Sequence, residues 1–106
     1  MKHFRLENMT RGWFVGDFIP TAFKTDAVEV GFKQYKAGDR EKRHHHKIAT
    51  EITAIISGVV RLNCIEYKQG DVIIIDPRES VSFESITDSA TIVVKLPGVK
   101  NDKYEE

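Results

Sequence analysis

The stretch GDREKRHHHKIATEITAIISG, residues 38–58, gathers three of the chain's four histidines, His44, His45 and His46, ahead of a lone glutamate, Glu51. In an extended strand, successive side chains alternate faces and the backbone rises ~3.3 Å per residue. His44 and His46 therefore point the same way with Cα atoms ~6.6 Å apart, a separation at which two imidazoles converge on one ion. His45 points the opposite way and is not expected to ligate. Along the next β-prone run Glu51, Thr53 and Ile55 share one face, and Ile52, Ala54 and Ile56 share the other. A carboxylate beside two inward histidines makes a two-His, one-carboxylate set. Such a set leaves coordination positions open, as oxygen-activating and Lewis-acid metal sites require.

Outward from this stretch the chain has almost no helical period. Short alternating or β-branched runs recur instead: AVEVGFKQY (27–35), VVRLNCIEY (59–67), DVIIID (71–76), SVSFES (80–85) and ATIVVKL (90–96). Turn residues separate them, around Gly38, Gly58, Gly70, Pro77 and Asp88. Many short strands at regular spacing predict an all-β sandwich or barrel. Ser57–Gly58 reads as a tight hairpin in which Gly58 supplies the positive φ. The aromatic-rich segment RGWFVGDFIP (11–20) is expected to add a strand or arm over a sheet edge, and Trp13 and Phe14 suit edge cover or an interface better than catalysis. Residues 97–106 read as a frayed or loosely docked tail. The expected organisation is thus one domain over 1–106, with a core barrel at about 28–96, an N-terminal arm at 1–27 and a C-terminal tail.

Composition narrows the functional classes. Sixteen basic and sixteen acidic residues cancel to zero net charge, which lacks the clustered positive footprint of a nucleic-acid binder. The basic residues Arg40, Lys42 and Arg43 read as a solvated loop. No apolar stretch approaches the ~20 residues needed to span a bilayer, and the polar opening MKHFRLENMT is unlike a signal peptide. A single cysteine, Cys64, cannot form an internal disulfide and reads as a small buried hydrophobe. These features predict a cytoplasmic protein. Both faces of EITAIIS are apolar, whereas a free-standing sandwich alternates cleanly. Ile52, Ala54 and Ile56 on the outer face therefore predict a homodimer through a sheet. Phe32, Tyr35 and Phe83 read as core, Thr53 as a residue lining the pocket, and Asp76 and Glu79 as turn chemistry beside a possible pocket rim.

Gly38, His44, His46, Glu51 and Gly58, with their intervening five, one, four and six residues, resemble the first motif of the cupin superfamily position for position. Gly70–Asp71, an apolar run and Pro77 resemble the second. The resemblance implies a small jelly-roll β-barrel with a metal-binding site between its sheets near one mouth, and His44, His46 and Glu51 match ligand positions. In the second motif the family places a histidine eleven residues after the leading glycine; here that position is Val81. Three functions follow. A divalent ion (Mn, Fe, Ni, Cu or Zn) held by His44, His46 and Glu51 would act on a small oxygen-rich ligand, carbohydrate- or carboxylate-like. A metal-free sugar isomerase or epimerase would use a histidine as general base. A non-catalytic module would bind a small ligand without chemistry.

Overall fold

The computed structural model describes residues 1–106 and is an all-β barrel. A single 3-10 turn, Leu6–Asn8, precedes β1 (Trp13–Val15), β2 (Glu29–Tyr35), β3 (Arg40–His46), β4 (Thr50–Ser57) and β5 (Val59–Leu62). The chain continues through β6 (Ile65–Lys68), β7 (Val72–Ile75), β8 (Val81–Ser85), β9 (Ser89–Leu96) and β10 (Lys103–Glu105). The strands form two five-stranded sheets with orders β1-β2-β9-β4-β7 and β10-β3-β8-β5-β6. From β2 onward the chain repeatedly crosses between the sheets, which is the double-wound course of a jelly roll. No helix is long and apolar enough to cross a membrane.

The interior has an apolar part and a polar part. Ile55, Val60, Leu62, Ile75, Val81 and Phe83 form the buried cluster, with Tyr35, Tyr67 and Ile73 packed against it. Ile55 and Val60 are almost wholly buried, and each such aliphatic side chain contributes about 1.5–3 kcal/mol relative to exposure. Along β4 the inward positions run Glu51, Thr53, Ile55, leading from the polar part into this cluster.

The outer face of the first sheet is as apolar as the sequence predicts. Cross-strand register aligns Val30, Val94, Ile52 and Ile74 in one row, and Phe32, Ile92, Ala54 and Val72 in the next. The usual polarity of a sandwich sheet is thereby inverted, since Glu29, Lys33, Tyr35, Thr91 and Lys95 face inward on the same strands. Phe32 consequently lies outside rather than in the core, and Tyr35 serves both the core and the cavity wall.

Several local expectations are corrected. The Ser57–Gly58 pair joins β4 of one sheet to β5 of the other, so it is a corner between layers and not a hairpin. Gly58 does adopt a positive φ of 80°, and a Cβ there would meet the Asp88 carbonyl oxygen at 2.2 Å. Alanine at this corner would be both strained and blocked. The run 59–67 is two strands, and the hairpin between them turns at Asn63 and Cys64, with φ of 49° and 72°. Cys64 is therefore exposed and not a buried hydrophobe. The basic residues 40–43 lie in β3 and not in a loop, their charges outward: Arg40 pairs with Glu84 at 3.2 Å and Arg43 with Glu106 at 3.6 Å.

The segment after Pro97 is not a frayed tail. Its β10 pairs antiparallel with β3, setting Lys103 opposite His46, Tyr104 opposite His45 and Glu105 opposite His44. Asp102, only 5% exposed, turns its carboxylate onto the β3–β4 loop. There it accepts backbone N–H bonds from Lys47 (3.1 Å), Ile48 (3.1 Å) and Ala49 (2.9 Å). Burial by itself would raise this carboxyl's pKa, but the three N–H donors outweigh it and hold the group below the usual carboxylate range.

Candidate functional site

The polar part of the interior is a cavity of about 430 Å³. His44, His46 and Glu51 all line it, together with Thr53. His44 and His46 reach it from alternate positions at the end of β3, and Glu51 reaches it from the start of β4 in the facing sheet. The two imidazoles stand edge to face with centroids 5.5 Å apart. Glu51 Oε1 lies 3.6 Å from His46 Nε2, and the Thr53 hydroxyl donates to Glu51 Oε2 at 3.2 Å. No three histidine, cysteine, aspartate or glutamate side chains are gathered tightly enough to form a closed ligand set.

Both histidines are fixed by carbonyl acceptors. His44 Nδ1 lies 2.8 Å from the Lys42 carbonyl oxygen, and His46 Nδ1 lies 2.9 Å from that of Asp102. A carbonyl can only accept, so each Nδ1 carries the proton and each Nε2 presents a lone pair. This is the arrangement by which outer partners orient metal-ligating histidines. His46 Nε2 is buried without a hydrogen-bond partner. An orphaned lone pair at that depth costs about 1–3 kcal/mol, and its nearest polar neighbour is a carboxylate that also only accepts. A proton on Nε2 or a metal cation between the two would satisfy both, and no third histidine, cysteine or carboxylate stands close enough to complete a metal set. Burial pushes the Glu51 carboxyl up, but the His46 ring, the Lys95 charge and the Thr53 hydroxyl together hold it below the ordinary glutamate value.

His45 points out of the barrel. It stacks on Tyr104 with centroids 5.4 Å apart, and its Nδ1 meets Glu106 at 2.7 Å. Val81 is directly opposite His44 in the β3–β8 register and is 7% exposed, so an apolar side chain stands beside the donor set where the motif has a histidine. Asp76 and Glu79 stay in their turn, where the Glu79 carboxylate accepts the Asp76 N–H at 3.1 Å, and neither lines the cavity. Trp13 lines the cavity, and its strand β1 pairs with β2 at the sheet edge as the edge-cover reading expects.

Further cavity residues escape the sequence reading. Glu41 faces inward because β3 carries a register shift between Glu41 and His44, which lets residues three apart point the same way. Simple alternation would turn Glu41 outward. The Tyr35 hydroxyl donates to Glu41 at 3.3 Å, and burial followed by the Glu41 charge pushes the phenol above its ordinary pKa. Lys33 and Lys95 alternate with apolar neighbours that look like a core set, so strand alternation by itself does not mark them as cavity residues. Only the inversion of the first sheet does. Asp102 has no sequence signal beyond its Asn101–Asp102 turn chemistry.

No family model matches the chain, and no curated protein matches it in sequence. Solved structures do resemble it. A conserved protein from Klebsiella pneumoniae with a double-stranded β-helix domain superposes with a TM-score of 0.69 at 20% identity, over 76% of this chain and 71% of that one. A cupin protein from Bacteroides fragilis gives 0.61 at 22%, over 76% and 74%. The oxalate decarboxylase of Bacillus subtilis, a protein with Mn(II) centres, gives 0.66 at 16%, over 76% of this chain and 24% of its own. Likeness at these identities is likeness of fold.

Proposed function

The chain is a cupin in fold, and from that premise we propose that it binds a divalent metal ion through His44, His46 and Glu51 and acts on a small oxygen-rich molecule in the same cavity. The observation that carries this reading is His46 Nε2, orphaned at depth 3.6 Å from Glu51 Oε1, with the His44 ring 5.5 Å from that of His46 in the same cavity. A bound ion would supply Lewis-acid polarisation of a substrate oxygen. Imidazole and carboxylate suit Mn, Fe, Ni, Cu or Zn alike. The chain's own residues do the rest. The Lys42 and Asp102 carbonyls aim the rings, Thr53 orients Glu51, and Val81 with Phe83 and Leu62 keeps one wall dry.

The metal-free reading has one observation in its favour. Val81 leaves the donor set without the motif's fourth ligand, while His46 Nε2, its ring aimed by the Asp102 carbonyl, stands unpaired in the cavity that also holds the Tyr35 hydroxyl. In that case His46 would take the proton from a substrate carbon and Tyr35 would serve the opposite face. Metal analysis of protein made without a histidine tag separates the two. Near-stoichiometric metal that is lost on replacing His46 by alanine supports the first reading. Metal-free protein that also binds none of the five ions on calorimetric titration would leave the second.

A further inference from the structure

The cavity holds more positive charge than its carboxylates can neutralise. Arg11, Lys33, Lys95 and Lys103 line it against Glu29, Glu41 and Glu51, four cations to three anions before any metal is counted. Lys103 has a partner, Glu41, at 3.9 Å. Lys33 and Lys95 form no ion pair, although Glu29 and Glu51 flank Lys95 across the neighbouring strands. Lys33 spends one donor on the Arg11 carbonyl at 2.8 Å, leaving the rest of its ammonium free. Burial holds its pKa below the ordinary lysine value, and the Arg11, Lys95 and Lys103 charges add to the effect against the opposing pull of Glu41. A partly desolvated ammonium without a counter-ion is costly, and an anion relieves the cost.

The two ammonium groups share a neighbour. Both lie over the Trp13 ring, Lys33 Nζ at 5.4 Å and Lys95 Nζ at 5.0 Å from its centroid. Trp13 can lie flat here because Gly31 is beneath it, where a Cβ would come within 2.8 Å of the ring. A wall of two lysines and one indole thus stands in the same cavity as the histidine–glutamate set.

We infer that the small molecule taken by this cavity is an anion, and that Lys33 and Lys95 bind its carboxylate or comparable oxyanion beside Trp13 while His44, His46 and Glu51 face the remainder. This names the charge class of the ligand and rests on reading the cavity as the site of action. It does not require the ion itself. A neutral sugar would leave both ammonium groups without a close ion-pair partner.

Trp13 is the chain's only tryptophan, so its emission reports on this wall alone. The test titrates full-length, metal-free protein with malonate, with malonamide as the neutral analogue and sodium chloride as the ionic-strength control. Malonate should change Trp13 emission saturably, and malonamide and chloride should not. Lys33→Gln and Lys95→Gln should each weaken malonate binding at least about tenfold, as loss of a charge-assisted hydrogen bond predicts. Lys33→Arg and Lys95→Arg should restore most of it, and Lys68→Gln, outside the cavity, should stay within about twofold of wild type. Mn(II) affinity, followed separately by the EPR signal of the free ion, distinguishes the two readings. Malonate binding without Mn(II) binding keeps this one and removes Mn(II) from the metal reading. Mn(II) binding with no lysine-dependent preference for malonate over malonamide overturns this one and keeps the metal.

Discussion

His46 donates its Nδ1 proton to the carbonyl of Asp102, 2.9 Å away and 56 residues further along the chain. The same aspartate ties down the loop between the strands that carry His46 and Glu51. One residue beyond the expected barrel therefore aims one candidate ligand and fixes the spacing to another.

Replacing Asp102 by alanine should cost about 2–4 kcal/mol, since three buried N–H groups lose a charged acceptor. Asparagine should cost less, because its carbonyl oxygen retains part of the interaction. Both variants keep the backbone carbonyl that accepts from His46 Nδ1, so if His46 holds a metal, affinity should fall only as far as the loosened β3–β4 loop displaces His46 and Glu51. Chemical denaturation and calorimetric metal titration read the two effects independently.

The pH dependence of that stabilisation has a definite sign. The folded-state pKa of Asp102 is lowered, so its contribution is fully present above the unfolded carboxylate value of about 3.9. It is lost as pH falls through the lower folded value. The stability gap between wild type and Asp102→Asn should stay constant near neutrality and close below about pH 4. A gap that widens on acidification would contradict the assignment.

Saturating divalent metal should raise the melting temperature on the order of 10 °C, because a ligand at a hundred times its Kd adds about 2.7 kcal/mol and each kcal/mol is worth roughly 4–8 °C. His46→Ala and Glu51→Ala should abolish the shift. His45→Ala should keep most of it, since that ring lies outside against Tyr104 and Glu106. Thermal melts in Mn, Fe, Ni and Zn check all three.

Val81→His would place an imidazole opposite His44. If the donor set binds an ion, this change should tighten metal binding by tenfold or more. The larger ring enters a packed cluster and should cost about 1–3 kcal/mol of metal-free stability. Unchanged affinity in a folded variant would show that the ion, if bound, sits away from β8.

The outer face of the first sheet leads us to propose a homodimer. Val72 and Ile74 remain 64% and 60% exposed within two apolar rows, an arrangement a solitary sheet seldom presents to water. Light scattering at micromolar concentration should give twice the chain mass, and Ile74→Lys should give the single mass. A wild-type monomer would remove the argument.

What the sequence makes legible follows its regularities. Short runs of period two reveal an all-β chain, and the fixed spacing of His44, His46 and Glu51 puts them in one cavity because alternation and strand direction are local properties. The losses are non-local. The bulge that turns Glu41 inward and the crossover that makes Gly58 a corner leave no periodic trace. Nor does the sheet whose polar residues face inward, so Lys33 and Lys95 resemble surface positions until the register is known. Asp102 escapes because its three bonds are to backbone, which has no sequence code.

The pairing of β10 with β3 also makes the site depend on the last strand of the chain to be synthesised. A nascent chain that has emerged through β9 holds the partners for most of both sheets, yet β3 still has an open edge and His46 has no acceptor for its Nδ1 proton. Until residue 102 arrives, that imidazole is free to turn, and the loop leading to Glu51 is untethered. The cavity therefore has its final shape only once residue 102 is in place, and a chain lacking that contact would present an unfinished receptor.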